Sequence, residues 1–389
     1  MKNIIIVGGG MKNKGAQSMT FVCVDQLKER FPDDRIIMLS LVDIHDDDYN
    51  FEAKKVSYNL VRYIAGNIGI LRALIKGVRL RDIRFVMDLL KDARLLVDIS
   101  GYALSSFWPM PTVDYYLSYI ECAKRFSIPT YILPQSFGPF YYDKKSVIYD
   151  RIGKVMQYPK IVYSREDEGY NLLINDFKLN NVKKSCDLVL QSKKIDVNNI
   201  YRKYVERILP EIPGDRVAII PNVRNFEYID KDCLFNTYKI IIKTLLSLGK
   251  NVFVMHHSNE DSDICNEIKI LFLDDQRVKV INESFSSIEF ETFVEKFDYL
   301  VASRYHAIIH SFKSGTPCIA LGWASKYSAL HKLFHQEDSV IDVREGIDNG
   351  RIVDILINMD DNYKKKASML KMYIGEMQES NIFDSIVNE

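Results

Sequence analysis

YLVASRYHAIIHSFKSGTPCIAL, residues 299–321, contains one complete strand–helix–strand unit. Tyr299–Ser303 is a short apolar run of strand type, and His306–Ser314 has helical spacing. Gly315 and Pro317 stop that helix, and Cys318–Leu321 reads as the next strand. A helix between two short buried strands is the signature of parallel pairing, with helices covering both sheet faces.

The same alternation extends in both directions. Toward the amino terminus the expected strands are Val217–Pro221, Asn251–His256 and Val278–Ile281, with helices over Leu234–Leu248 and Ser287–Phe297. Pro210, Pro213 and Gly214 interrupt the pattern and read as an interdomain hinge. Before it, Ile4–Val7, Arg35–Leu41, Leu95–Ile99, Thr130–Leu133 and Ile161–Ser164 read as strands, with helices such as Ala16–Arg30 and Val113–Phe126. The fold class is therefore α/β, with two doubly wound Rossmann-like domains in tandem. The expected divisions are 1–209, 210–359 and a polar helical tail over 360–389 that packs back across the hinge.

Composition limits the function. The chain has 389 residues, with 52 basic and 52 acidic side chains, so nothing favours nucleic acid. With 47% hydrophobic residues, each half can build a core. No apolar run reaches the roughly 18 residues of a membrane span. The start, Met1–Val7, reads as a buried strand rather than a secretory signal. Six scattered cysteines without a Cys-x-x-Cys pair suggest reduced thiols and a cytoplasmic protein. Arg72, Lys76, Arg79, Arg81 and Arg84 line an apolar segment in which Asp82 is the lone acid. This reads either as a solvated helix face or as a basic patch meeting anionic lipid.

Ligands in such folds sit beyond the carboxyl ends of the strands. After the first strand comes Gly8-Gly9-Gly10, then Asn13-Lys14-Gly15 opening a helix whose free N–H groups favour an anion. Arg304 and His306 follow strand Tyr299–Ala302, pairing a permanent charge with a titratable ring. Lys326 follows the next strand. Corresponding loops carry Asn222 and Arg224, then His256, His257 and Glu260, then Gln135, and finally Arg165. No metal site is expected: His310 lies one turn after His306 but lacks a third ligand, and Asp46-Asp47-Asp48 reads as solvated.

The stretch Ser303-Arg304-Tyr305-His306-Ala307, with Gly315-Thr316-Pro317 and Lys326, resembles the signature of the polysaccharide pyruvyltransferase family. Gly8–Gly10 with Asn13-Lys14-Gly15 is similar to that family's start. So are Pro134-Gln135-Ser136-Phe137-Gly138-Pro139, Ser164-Arg165-Glu166 and Asn222-Val223-Arg224. The resemblance runs over roughly residues 1–330. It implies a glycosyltransferase B (GT-B) type fold with the active site in the cleft. It also implies a phosphoenolpyruvate donor and a pyruvate ketal product on a sugar of a surface polysaccharide or glycan, with phosphate released.

On that basis Arg304 and His306 match donor-binding and catalytic positions, and Arg165, Arg224, Asn222 and Lys326 fall on the donor side. Gly9, Gly10, Asn13, Gln135, His256, His257 and Glu260 are acceptor or loop candidates. A lipid-linked sugar as acceptor would allow peripheral membrane contact. The chain departs from the family at Ala16, at Ser100-Gly101-Tyr102 and at Gln135-Ser136, all on the acceptor side.

The implied chemistry protonates the enol methylene carbon, creating an oxocarbenium-like centre that a sugar hydroxyl attacks. Phosphate leaves and a second hydroxyl closes the ring. An acid with a pKa near 6–7 suits the first step, and His306 is the expected acid. The scheme expects no cofactor and no metal. Two alternatives remain. One is a glycosyltransferase using a nucleotide sugar, although the segment Arg304–Gly315 lacks the carboxylates that would hold a ribose. The other is a non-catalytic glycan-binding relative.

Overall fold

The computed structural model describes residues 1–379 and 381–387. Residues 380, 388 and 389, which fall within the expected helical tail, lie outside the described residues. The amino-terminal half contains β1 (Asn3–Val7), β2 (Arg35–Ser40), β3 (Glu52–Lys55), β4 (Ala93–Asp98), β5 (Thr130–Gln135), β6 (Ile161–Ser164) and β7 (Val182–Lys184). They pair in the order β3-β2-β1-β4-β5-β6-β7, all parallel. The second half contains β8 (Arg216–Ile220), β9 (Asn251–Met255), β10 (Val278–Ile281), β11 (Tyr299–Ala302), β12 (Cys318–Gly322) and β13 (Val340–Asp342). Their order is β10-β9-β8-β11-β12-β13, again all parallel.

Burial explains why the central strands read so clearly. Every residue of β1, β5, β11 and β12 is buried, because helices cover both faces of each sheet. Three strands were not foreseen: β3, β7 and β13. Each is short and lies at a sheet edge, and β3 and β7 carry lysines that discourage further pairing.

Each strand order reverses once, between β1 and β4 in the first sheet and between β8 and β11 in the second. At such points adjacent loops diverge and leave a crevice. The helix Lys14–Arg30 starts at the first crevice, with the Asn13 side chain accepting from Gly15 N at 2.8 Å. It runs against the helices Ser287–Val294 and Tyr305–Lys313 of the other half. One apolar cluster is shared across this contact, including Phe21 and Leu188 on one side and Phe290, Ile308 and Phe312 on the other. Gln17 Oε1 accepts from Ser287 N at 2.7 Å, and Lys313 Nζ donates to Ser192 Oγ at 3.0 Å.

A single helix covers Asn349–Met377, so residue 360 lies inside it. Beyond it the chain returns to the first half. Gln378 Nε2 donates to Ser192 O at 3.0 Å, and Arg30 pairs with Asp384 at 2.5 Å. Among the described residues, no helix is long and apolar enough to cross a membrane.

Candidate active site

The two crevices face each other and enclose a cleft of about 520 Å³. The loop after β1 supplies Asn13, and the loop after β4 supplies Tyr102, Phe107 and Trp108. From the second sheet come Asn222, Arg224, Glu227 and Tyr228 after β8, His257 and Glu260 after β9, Arg304, Tyr305 and His306 after β11, and Trp323, Lys326 and Tyr327 after β12. A second hollow of about 310 Å³ shares Tyr102, Phe107, Tyr228, Trp323 and Lys326 with it, and adds Ser136, Tyr141, Glu166 and Glu168.

Arg304 is held from behind. Its Nε and Nη2 reach the two Asp261 carboxylate oxygens at 2.7 and 2.6 Å, and Nη2 also meets Glu260. Asp261 is fully buried and accepts from Val223 N at 3.1 Å. One carboxylate thus ties together the loops after β8, β9 and β11. Asn222 contributes to the same floor, donating to Ser303 O at 3.0 Å and accepting from Arg224 N at 3.0 Å. Arg224 pairs with Glu227 at the cleft rim, where both are half-exposed.

His306 sits where the lobes touch. A Cβ added to Gly15 would lie 2.3 Å from His306 Nδ1, so the glycine lets the first helix approach the ring. On the other side, His306 Nε2 is 3.8 Å from Asp187 Oδ2. Asp187 in turn binds Arg165 Nη1 at 2.5 Å. Burial lowers the His306 pKa to about 3, helped by the charges of Arg165 and Lys326 and opposed by Asp187. The ring is therefore neutral near pH 7, not poised near 6–7 as expected, because burial penalises its charged form by more than Asp187 restores.

Lys326 lies among four aromatic rings, 5.0 Å from the centroids of Tyr305 and Trp323, 5.5 Å from Tyr102 and 5.7 Å from Tyr327. It forms no ion pair among the described residues. Burial lowers its pKa to about 8, with Arg165 adding to the effect. Lys14, buried at the same junction, donates to His257 O at 2.8 Å, and burial lowers its pKa to about 8 as well.

Several sequence candidates lie elsewhere. Arg165 does not line the cleft: its side chain is 3% exposed and is spent on Asp187, Gly101 O and Ser136 Oγ, one layer behind it. Gln135 is buried beneath the sheet edge, donating to Asp98 Oδ1 at 2.7 Å, so it does not face an acceptor. Gly9 is a packing residue, since a Cβ there would meet Met38 and Thr20 within 2.8 Å. Gly10 borders a separate side hollow with Asn13. His256 is buried beside the cleft without lining it, whereas His257 and Glu260 do line it. His310 is buried and meets Glu291 at 3.2 Å.

Sequence reasoning did not assign site roles to Asp187, Asp261, Tyr102, Phe107, Trp108, Tyr228 or Trp323. The available signal was position, because Tyr102, Phe107, Trp108 and Trp323 all follow strands at the switch points or beside them.

A search of curated proteins finds no significant match. Among solved structures, the chain is similar to the UDP-GlcNAc 2-epimerase from Methanocaldococcus jannaschii, with a TM-score of 0.57 at 13% identity over 92% of each chain. It is similar to Staphylococcus aureus MnaA with UDP, with a TM-score of 0.58 at 11% identity over 95% of this chain and 91% of that one. It is also similar to HepE from Anabaena in complex with UDP-glucose, with a TM-score of 0.56 at 9% identity over 100% and 98%. At these identities the likeness establishes the fold, a two-domain Rossmann-like arrangement of GT-B type. The sequence itself carries the narrower assignment. The polysaccharide pyruvyl transferase family model matches residues 13–325, from the helix cap at Asn13 through Arg304 and His306 to the loop before Lys326, and the chain belongs to that family.

Proposed function

We propose that the protein transfers the pyruvyl group of phosphoenolpyruvate to a sugar of a surface polysaccharide or glycan precursor, forming a ketal and releasing phosphate. The observation that carries this reading is the charge arrangement of the cleft. Lys326 has no acid partner among the described residues, and Arg304 and His306 stand in the same enclosure. Phosphoenolpyruvate combines a phosphate monoester with a carboxylate, together roughly three negative charges. Such an anion needs several cations when it leaves water.

The residues divide the work. Lys326 and Arg304 hold the donor's anionic groups, and Arg304 exchanges the exposed Glu260 for donor oxygen while buried Asp261 keeps its plane fixed. An arriving anion favours the imidazolium form of His306. The acid is thus created by the donor it serves. Protonating the methylene carbon leaves positive charge at the neighbouring carbon, where a sugar oxygen bonds and gives its proton to the His306 ring left neutral by the first step. The C–O bond to phosphate then breaks with its electron pair going to phosphate, and a second sugar oxygen completes the ring as its proton leaves with the phosphate.

The aromatic hollow beside Lys326 suits the acceptor, since Phe107, Tyr228 and Trp323 offer flat apolar faces with Glu166 and Glu168 nearby. The test is an acceptor screen with phosphoenolpyruvate, read as phosphate release and mass gain of the glycan. Donor binding is titrated in parallel against nucleotide sugars. Acceptor-dependent phosphate release supports the reading, and tighter binding of a nucleotide sugar with no affinity for phosphoenolpyruvate overturns it.

A further inference from the structure

The 52 basic and 52 acidic residues balance over the chain but not over its surface. The helix Ile70–Ile75 and the start of the helix Leu80–Lys91 form one continuous stretch, residues 70–87, with five cations and a single carboxylate. Arg72, Lys76, Arg79, Arg81 and Arg84 are all exposed. Asp82 is shared between Arg79 and Arg81, at 2.9 and 3.3 Å. Arg72, Lys76 and Arg84 form no ion pair among the described residues.

Large apolar side chains emerge between these cations. Leu71 is 75% exposed, Ile75 83% and Leu80 66%, with Ile70, Leu74 and Phe85 also open to solvent. The inner side of the stretch is satisfied separately, because Ala73, Val78, Ile83 and Val86 are buried in the core of the first sheet. The most exposed of the outer side chains, Leu71, Ile75 and Leu80, therefore add little to the core, and six large apolar residues within one such stretch are unusual on a solvent-facing surface.

We propose that this face binds the surface of a bilayer containing anionic lipid. Apolar side chains flanked by arginine and lysine match the interface, where the former enter the acyl boundary and the latter reach the headgroup phosphates. A second copy of the chain fits less well, because a two-fold contact would set these arginines against themselves. A nucleic acid would use the cations but leave Leu71 and Ile75 in water. The face lies outside the cleft, so the inference stands apart from the reaction proposed above.

Flotation of the full chain with vesicles tests it. The expected result is partition onto phosphatidylcholine vesicles containing phosphatidylglycerol, weakened by salt, with little binding to phosphatidylcholine alone. Two variants separate the contributions. Arg72→Glu with Lys76→Glu and Arg84→Glu should lower partition by on the order of a hundredfold. Leu71→Ser with Ile75→Ser should lower it while retaining the cations. Both sets are surface residues, and an unchanged thermal transition confirms folding. Background binding of the wild type to anionic vesicles overturns the proposal, and so does wild-type partition by either folded variant. A dimer that the serine variant dissociates, with no vesicle binding, assigns the face to self-association and overturns it as well.

Discussion

Gly15 and His306, which belong to different lobes, are packed so closely that a β-carbon on the glycine would overlap the ring at 2.3 Å from Nδ1. The amino terminus of the first helix therefore sets the position of the imidazole. Gly15→Ala must move the ring or part the lobes. Displacements of about 1 Å at a reacting group cost on the order of a hundredfold in rate. Turnover in the phosphate-release assay should fall by that order, and the thermal transition should fall with it, since overpacking of this kind typically costs about 1–3 kcal/mol. Full activity in Gly15→Ala would remove His306 from the reaction.

Arg165 and Asp187 stand behind that ring as a buried pair, with side chains 3% and 0% exposed. Asp187→Asn leaves the guanidinium without its counter-charge, a change that typically costs about 3–5 kcal/mol. Denaturant unfolding should register it. The same change removes the Asp187 charge that favours protonated His306, so the alkaline limb of the rate profile, where the general acid loses its proton, should move to lower pH. A merely structural role for Asp187 would destabilise the protein without moving that limb.

The depressed pKa of His306 also predicts a stability effect. The ring titrates near 3 in the folded protein and near 6.5 when unfolded. Between those values the unfolded chain binds the extra proton, so this group makes the protein less stable as pH falls from 6.5 toward 3. His306→Asn lacks that contribution. The difference in melting temperature between wild type and variant should therefore shift in favour of the variant as pH is lowered. A difference that does not change with pH would show that the ring is not desolvated.

The sequence revealed the central strands because a strand buried on both faces must be apolar throughout, as β1 and β11 are. The edge strands β3 and β7 were hidden for the converse reason, since Glu52-Ala53-Lys54-Lys55 and Val182-Lys183-Lys184 have no buried residue and no apolar run, whereas β13, Val340-Ile341-Asp342, is apolar but only three residues long. At the site, Arg304, His306 and Lys326 were legible from their place just after strands. Asp261 and Asp187 were not, since a carboxylate that becomes fully buried through pairing with a distant arginine looks in sequence like any solvated acid. The burial of Arg165 was hidden for the same reason: nothing local distinguishes an arginine that faces a cleft from one that pairs with Asp187.

Lys326 offers a test in which one ionisation drives two opposite trends. Its pKa is lowered to about 8 by burial first and Arg165 second, against the pull of Glu166 and Asp187. The donor needs the ammonium form, so affinity for phosphoenolpyruvate should fall as pH rises above about 8. Folding responds the other way. Between about 8 and the unfolded value of about 10.4, the unfolded chain holds the extra proton, so stability attributable to this group rises with pH. Lys14 also titrates near 8, so the comparison must be with Lys326→Met rather than with the wild type alone. That variant should lose about 1.5–3 kcal/mol of donor binding near neutral pH, roughly ten- to a hundredfold in Kd. It should also lose Lys326's share of both pH trends. Calorimetric titration of phosphoenolpyruvate and thermal melts from pH 7 to about 10 measure the two responses on the same samples. Unchanged affinity in a folded Lys326→Met protein would remove this lysine from the donor site.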